Sequence, residues 1–132
     1  MLKISISDEI KNKKILIVDD VPSMVSIMKA FLKDVGFFRL ATANGGKEAL
    51  KKMGQTQFDL VICDWNMPGL SGLEILKTMK ASEKLQSSAF MMVTASSEVE
   101  KVKEAVENGI DGFIVKPFQA NVLYEKIISI LE

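Results

Sequence analysis

One plan recurs five times along this chain. A short apolar run ends in a polar residue, and an amphipathic stretch follows. The first run is Ile15-Leu16-Ile17-Val18, which leads straight into Asp19-Asp20. Unbroken apolar runs of this kind are what strands buried on both faces look like. Segments 14–18, 38–43, 58–63, 89–94 and 112–115 read as strands. After the first, Pro22 suits the opening turn of a helix, where its missing N–H costs nothing. Met24, Ile27, Met28, Phe31, Leu32 and Val35 then recur at helical spacing, and Gly36 stops the helix. Further helices are expected over 46–54, 72–82, 98–108 and 120–131. Five β-α units in series give an α/β domain, a parallel sheet with helices on both faces. Residues 13–132 supply all five units. Residues 1–12 stand outside them as an N-terminal extension, either locally structured or loosely held.

Composition narrows the function. The chain has 132 residues, enough for one domain with a real core. It carries 17 basic and 17 acidic residues, so no cationic excess points to nucleic acid or an anionic membrane. No apolar run approaches the ~18 residues of a membrane span, and the N-terminus lacks a signal peptide's apolar core. A cytoplasmic protein is expected, and a monomer, since no long heptad pattern appears. Histidine is absent, which excludes Ser-His and Cys-His catalysis, His-bound zinc and a phosphohistidine on this chain. The single cysteine, Cys63, lies within an apolar run and reads as a buried, inert thiol.

In open α/β sheets, ligands bind outside the carboxyl ends of the strands. The residues just past each run are therefore informative. They are Asp19-Asp20, Thr42-Ala43-Asn44, Asp64, Thr94 and Lys116-Pro117. Polar residues often end strands, which explains one or two of these. It explains poorly three acids, a threonine and a lysine at one edge. Hard oxygen donors suit Mg²⁺ rather than zinc or copper. A divalent ion would offset the repulsion within the acid pair. One carboxylate could then act as nucleophile towards phosphorus, giving an aspartyl phosphate. The remaining work would be positioning and charge neutralisation.

The stretches ILIVDD, DWNMPGLSGLEILK, MMVTA and GFIVKPF, in that order, resemble the receiver domains of bacterial two-component response regulators, and within them the CheY-like single-domain type. The resemblance covers about residues 13–132. It implies a flavodoxin-like fold. The strand order 2-1-3-4-5 is already known for CheY itself, so it is carried by the resemblance and not by the periodicity. It implies Asp64 as phosphoacceptor, and Asp19 and Asp20 as the acidic pair of an Mg²⁺ site, with Asp20 the direct ligand and Asp19 acting partly through water. Asn66 would lend the metal its backbone carbonyl. Thr94 and Lys116 would each hold a phosphoryl oxygen, and small Ala95 would leave the approach open. Side-chain lengths fit that order. Strands lie ~4.8 Å apart, so a short hydroxyl reaches from the next strand, whereas Lys116 must span roughly 10 Å.

The resemblance also implies partners. The phosphodonor would be a phosphohistidine on a CheA-like sensor histidine kinase, and acetyl phosphate a small substitute. Thr94 would move inward on phosphorylation, coupled to an aromatic residue on the fifth strand, here Phe113. Relatives commonly place tyrosine there. Core packing alone is the other reading of Phe113. The output surface would be the fourth helix, fifth strand and fifth helix, meeting a protein target such as the flagellar motor switch. Tyr124 and Lys126 are its candidate exposed contacts, while Val99, Val102, Val106, Val122, Ile127 and Ile128 read mostly as core. Asn66 and Ser96 occupy positions that tune phosphoryl lifetime. Val21-Pro22-Ser23-Met24-Val25-Ser26 lacks the basic pair that relatives carry after the acids, which weakens the link to the motor.

Other readings compete. A stand-alone receiver could act as a phosphate sink, serve a non-motor partner, or have lost its chemistry and only dock. A haloacid dehalogenase-type phosphatase wants Asp-X-Asp from the nucleophile, whereas Asp64-Trp65-Asn66 has the wrong third residue. Flavin binding wants a donor-rich loop after the first strand, where this chain has two acids. Beyond its own phosphorylation and dephosphorylation, no enzyme activity is expected.

Overall fold

The computed structural model describes residues 6–132. Residues 1–5 and the side chains of Ser96, Ser97 and Val99 lie outside the described set. The elements are α1 (Asp8–Lys11), β1 (Ile15–Val18), α2 (Pro22–Asp34), β2 (Leu40–Ala43), α3 (Gly46–Gln55), β3 (Leu60–Asp64), α4 (Gly72–Ala81), β4 (Ala89–Ala95), a 3-10 turn (Ser96–Lys101), α5 (Val102–Glu107), β5 (Gly112–Lys116) and α6 (Ala120–Leu131). The sheet is wholly parallel in the order β2-β1-β3-β4-β5. This is the flavodoxin-like arrangement that the resemblance implied.

The side-chain period of two divides the core into two layers. Leu16, Val18, Val61, Cys63, Phe90 and Met92 face α3, α4 and α5, meeting Ala49, Met53, Ile75, Leu76, Met79 and Ala105. Their neighbours Ile15, Ile17, Leu60, Ile62, Met91, Val93 and Ile114 face α2 and α6. Every residue of β1 and β3 is buried, because these strands lie inside the sheet and helices cover both faces. Edge strands β2 and β5 are only partly buried.

Two helices stop by the same device. Gly36 sits at φ +113, Phe37 N–H donates to Leu32 C=O, and Gly36 N–H donates to Lys33 C=O. Gly109, at φ +93, repeats the pattern after α5. These Schellman closures need a left-handed residue, which glycine supplies without a Cβ penalty.

Boundaries differ from the periodicity in two places that matter. The second strand begins at Leu40, not residue 38, because β1 begins at Ile15 and the Ile15–Leu40 pair opens the ladder. Phe38 is left 64% exposed. The helix expected over 98–108 is α-helical only from Val102; a 3-10 turn replaces its first part. Residues 6–12 fold back on the α2/α6 layer. Ile6 is buried in that cluster, Ile10 packs beside it, and Ser7 Oγ caps α1 by accepting from Ile10 N–H at 3.2 Å. Among the described residues, no helix is long and apolar enough to cross a membrane.

Candidate functional site

The carboxyl ends of β1, β3, β4 and β5 meet at one edge of the sheet. Asp19 follows β1, Asp64 closes β3, and the registers Asp64–Val93 and Ala95–Lys116 bring Thr94 and Lys116 alongside. Asp19, Asp20 and Asp64 each offer a carboxylate oxygen, and these oxygens lie within 4.8 Å of one another. Asp19 and Asp64 are buried. Asp20 reaches solvent.

Among the described residues, one cation answers the three acids. Lys116 Nζ lies 3.3 Å from Asp19 Oδ2 and 3.2 Å from Asp64 Oδ1. Asp19 spends its other oxygen on Val21 N–H at 2.9 Å, which fixes the carboxylate as the chain turns into α2. Three carboxylates against one ammonium leave a formal charge of −2. Burial pushes the Asp64 pKa up; Lys116 pulls it back, and repulsion from Asp19 and Asp20 adds to the rise. Burial alone would lower the Lys116 pKa, but attraction to Asp64 and Asp19 outweighs it and the pKa rises. The cluster is therefore short of positive charge. Its donors are hard oxygens close enough to share one ion, so the residues present fit a divalent cation such as Mg²⁺.

Thr94 is buried, and its hydroxyl donates to Ala95 C=O at 3.3 Å. It shares a sheet face with Phe90, Met92 and Phe113, the last of which pairs with Met92 and packs on the same core layer as Trp65. Asn66 is exposed at the mouth of the site. Ser96, the other expected lifetime position, has a side chain outside the described residues, as does Val99. Cys63 is fully buried, and burial, with Asp64 and Asp19 nearby, holds its thiol well above the usual range, as an inert core thiol requires. The Lys116–Pro117 peptide is cis.

Of the two expected output contacts, Lys126 is half-buried and Tyr124 needs correction. Tyr124 is buried, stacking edge-on against Phe31 of α2 with centroids 6.5 Å apart. Val106 and Val122 are instead 58% and 43% exposed on α5 and α6. Periodicity did not place Tyr124, because a lone tyrosine on an amphipathic helix fits either face. The sequence reading also missed Gly72. A Cβ there would stand 2.9 Å from Trp65 Cα and 3.0 Å from Asp64 C=O, so α4 begins hard against the backbone that carries Asp64. The Ser71–Glu74 capping box, legible as Ser-x-x-Glu, marks that helix start.

A family model, the response regulator receiver domain, matches residues 15–128. The chain belongs to the response regulator receiver family. Chemotaxis protein CheY-3 of Vibrio cholerae is 44% identical over 122 residues, covering 92% of this chain and 94% of that one. Chemotaxis protein CheY of Pseudomonas aeruginosa is 44% identical over 119 residues, covering 90% and 96%. Among solved structures, Vibrio cholerae CheY4 superposes with a TM-score of 0.83 at 33% identity, covering 90% of this chain and 98% of that one. This receiver is thus similar to single-domain CheY proteins over nearly its whole length.

Proposed function

We propose that this receiver is a phosphorylation-driven switch whose phosphoacceptor is Asp64. The supporting observation is the cluster itself: three carboxylates within reach of one ion, bridged by a single lysine. Asp64 Oδ attacks phosphorus as the bond from phosphorus to a kinase histidine nitrogen breaks. The bonding electrons leave with the imidazole, which takes up a proton from solvent; the phosphohistidine belongs to the donor, since this chain contains no histidine. Asp20, Asp64 and the Asn66 carbonyl would hold Mg²⁺, with Asp19 acting partly through water. Bound there, the ion supplies charge neutralisation for the incoming dianion. Lys116 pairs with one phosphoryl oxygen and Thr94 turns its hydroxyl from Ala95 C=O to another. Asn66 and Ser96 set the lifetime of the phosphorylated state.

The signal is a population shift. Withdrawal of Thr94 opens space on the face it shares with Phe113, and Phe113 repacks, altering the surface made by α5, β5 and α6. That surface would meet a protein target in the cytoplasm. Identity to chemotaxis proteins favours a chemotaxis circuit, with a CheA-like kinase as donor and the flagellar motor switch as one candidate target. A phosphate sink is the second reading, favoured by the absence of the basic pair after Asp20. No reaction on other substrates is assigned.

The experiment is direct. With Mg²⁺ and acetyl phosphate, the intact chain should gain the mass of one phosphoryl group. No gain, or an undiminished gain in Asp64→Asn, overturns the reading. In Phe113→Ala, beryllofluoride should leave the NMR signals of α5 and α6 nearly unmoved; a parent-like response removes Phe113 from the switch.

A further inference from the structure

A groove of about 410 Å³ opens beside the site, between the start of α4 and the 3-10 turn that leads into α5. Half-buried Leu73 gives it apolar lining, and Trp65, itself buried against Phe90, closes its floor. Asn66 and Ser71 form one wall, and Glu100, Lys101 and Glu104 the other. The groove therefore begins at the two residues that follow Asp64.

Its chemistry selects a cation on an apolar stem. Lys101 is already bound to Glu98 at 2.7 Å. Glu100 and Glu104 have no basic group within ion-pair distance among the described residues. The start of α4 offers an anion little, since Ser71 and Glu74 satisfy each other's backbone N–H groups. Arginine matches best. Its planar fork pairs with carboxylates, and its stem lies well on aliphatic carbon such as Leu73. Without a divalent ion, the −2 charge of the adjoining Asp19, Asp20, Asp64 and Lys116 cluster adds to the attraction.

We propose that this groove docks an arginine-bearing segment of the protein that handles the phosphoryl group at Asp64. This rests on the function proposed above, because Trp65 and Asn66 join groove and site. A protein reaching Asp64 from solvent covers Asn66 and so meets the groove mouth. A target that reads only α5, β5 and α6 does not need to.

The probe is the peptide acetyl-Ala-Arg-Leu-Arg-Ala-amide, titrated into the full chain labelled for NMR at low salt. Its glutamate counterpart is the control. The arginine peptide should shift the Trp65 indole N–H and Leu73 methyl signals, and the control should not. Glu100→Gln combined with Glu104→Gln should weaken binding about tenfold, as loss of a charge-assisted pair predicts. Thermal melts check that the variant is folded. Parent-like affinity in the double variant overturns the proposal, as do shifts confined to Asp19 and Asp20. Peptide binding needs no phosphorylation. Failure of acetyl phosphate labelling would overturn the function while leaving the arginine preference measurable.

Discussion

The two ends of the sheet use the same residue type in opposite ways. At the end where the strands begin, each acid is spent on backbone. Asp59 Oδ2 accepts from Lys14 N–H at 2.8 Å, and Asp111 Oδ2 accepts from Phe90 N–H at 2.8 Å. Ser88 Oγ likewise donates to Phe58 C=O at 2.6 Å. These groups stitch neighbouring strands where the ladder starts. Where the strands finish, Asp19, Asp20 and Asp64 face one another with one lysine between them. A carboxylate paired with an N–H lowers the energy of the fold. Carboxylates set against each other raise it and are explained by what they can bind.

The sharpest break between the two ends is chemical. Asp64→Asn should abolish phosphoryl mass gain from acetyl phosphate, whereas Asp111→Ala should keep it, as intact mass will show. Stability should reverse the order. Asp111→Ala leaves Phe90 N–H without its acceptor in a part-buried position. It should cost about 1–2 kcal/mol and lower Tm by roughly 4–8 °C. A variant that loses phosphorylation at Asp111, or stability at neither end, would erase the distinction.

Much of this was legible in the sequence, and the limits have physical causes. Central strands β1 and β3 announced themselves because burial on both faces demands continuous apolar runs. Asp19, Asp20, Asp64, Thr94 and Lys116 stood out because each ends such a run. Edge strand β2 was read two residues too long, since its start depends on where β1 begins. Tyr124 was placed outward, yet it stacks on Phe31 from a helix distant in sequence. The Thr94 bond to Ala95 C=O and the Lys116 bridge to Asp19 depend on rotamers that spacing does not encode.

The site should respond to a divalent cation as the other end does not. At a free Mg²⁺ concentration ten times its dissociation constant, binding to the folded state alone adds about 1.4 kcal/mol. Tm should rise by a few degrees, roughly 3–6 °C for a domain of this size. Asp20→Asn should abolish the rise, and Asp59→Asn should not. Calorimetry with and without a chelator checks both. An equal rise in all three proteins would mean that Mg²⁺ acts through general surface charge.

The smallest effect bears most directly on the comparison. Burial, with repulsion from Asp19 and Asp20, raises the Asp64 pKa despite Lys116. A carboxyl with a raised pKa binds its proton more tightly in the folded state than in the unfolded chain. Its contribution therefore favours folding below the ordinary carboxylate range and is lost as pH rises through the folded pKa. At neutral pH the ionised Asp64 is then a net cost, and Asp64→Asn should raise Tm by about 2 °C. The gain should shrink as pH falls through the carboxylate range, where the parent Asp64 takes up its proton. Lys116 limits the gain. Its raised pKa stabilises the fold below the ordinary ammonium range and loses effect above it. Asn removes one of its two anionic partners, but Asp19 remains at 3.3 Å. Melts of parent and variant from pH 3 to pH 8 resolve the balance. If Asp64→Asn were less stable than the parent at neutral pH, the Lys116–Asp64 pair would be worth more than its desolvation. Asp64 would then support the fold as Asp59 and Asp111 do at the opposite end.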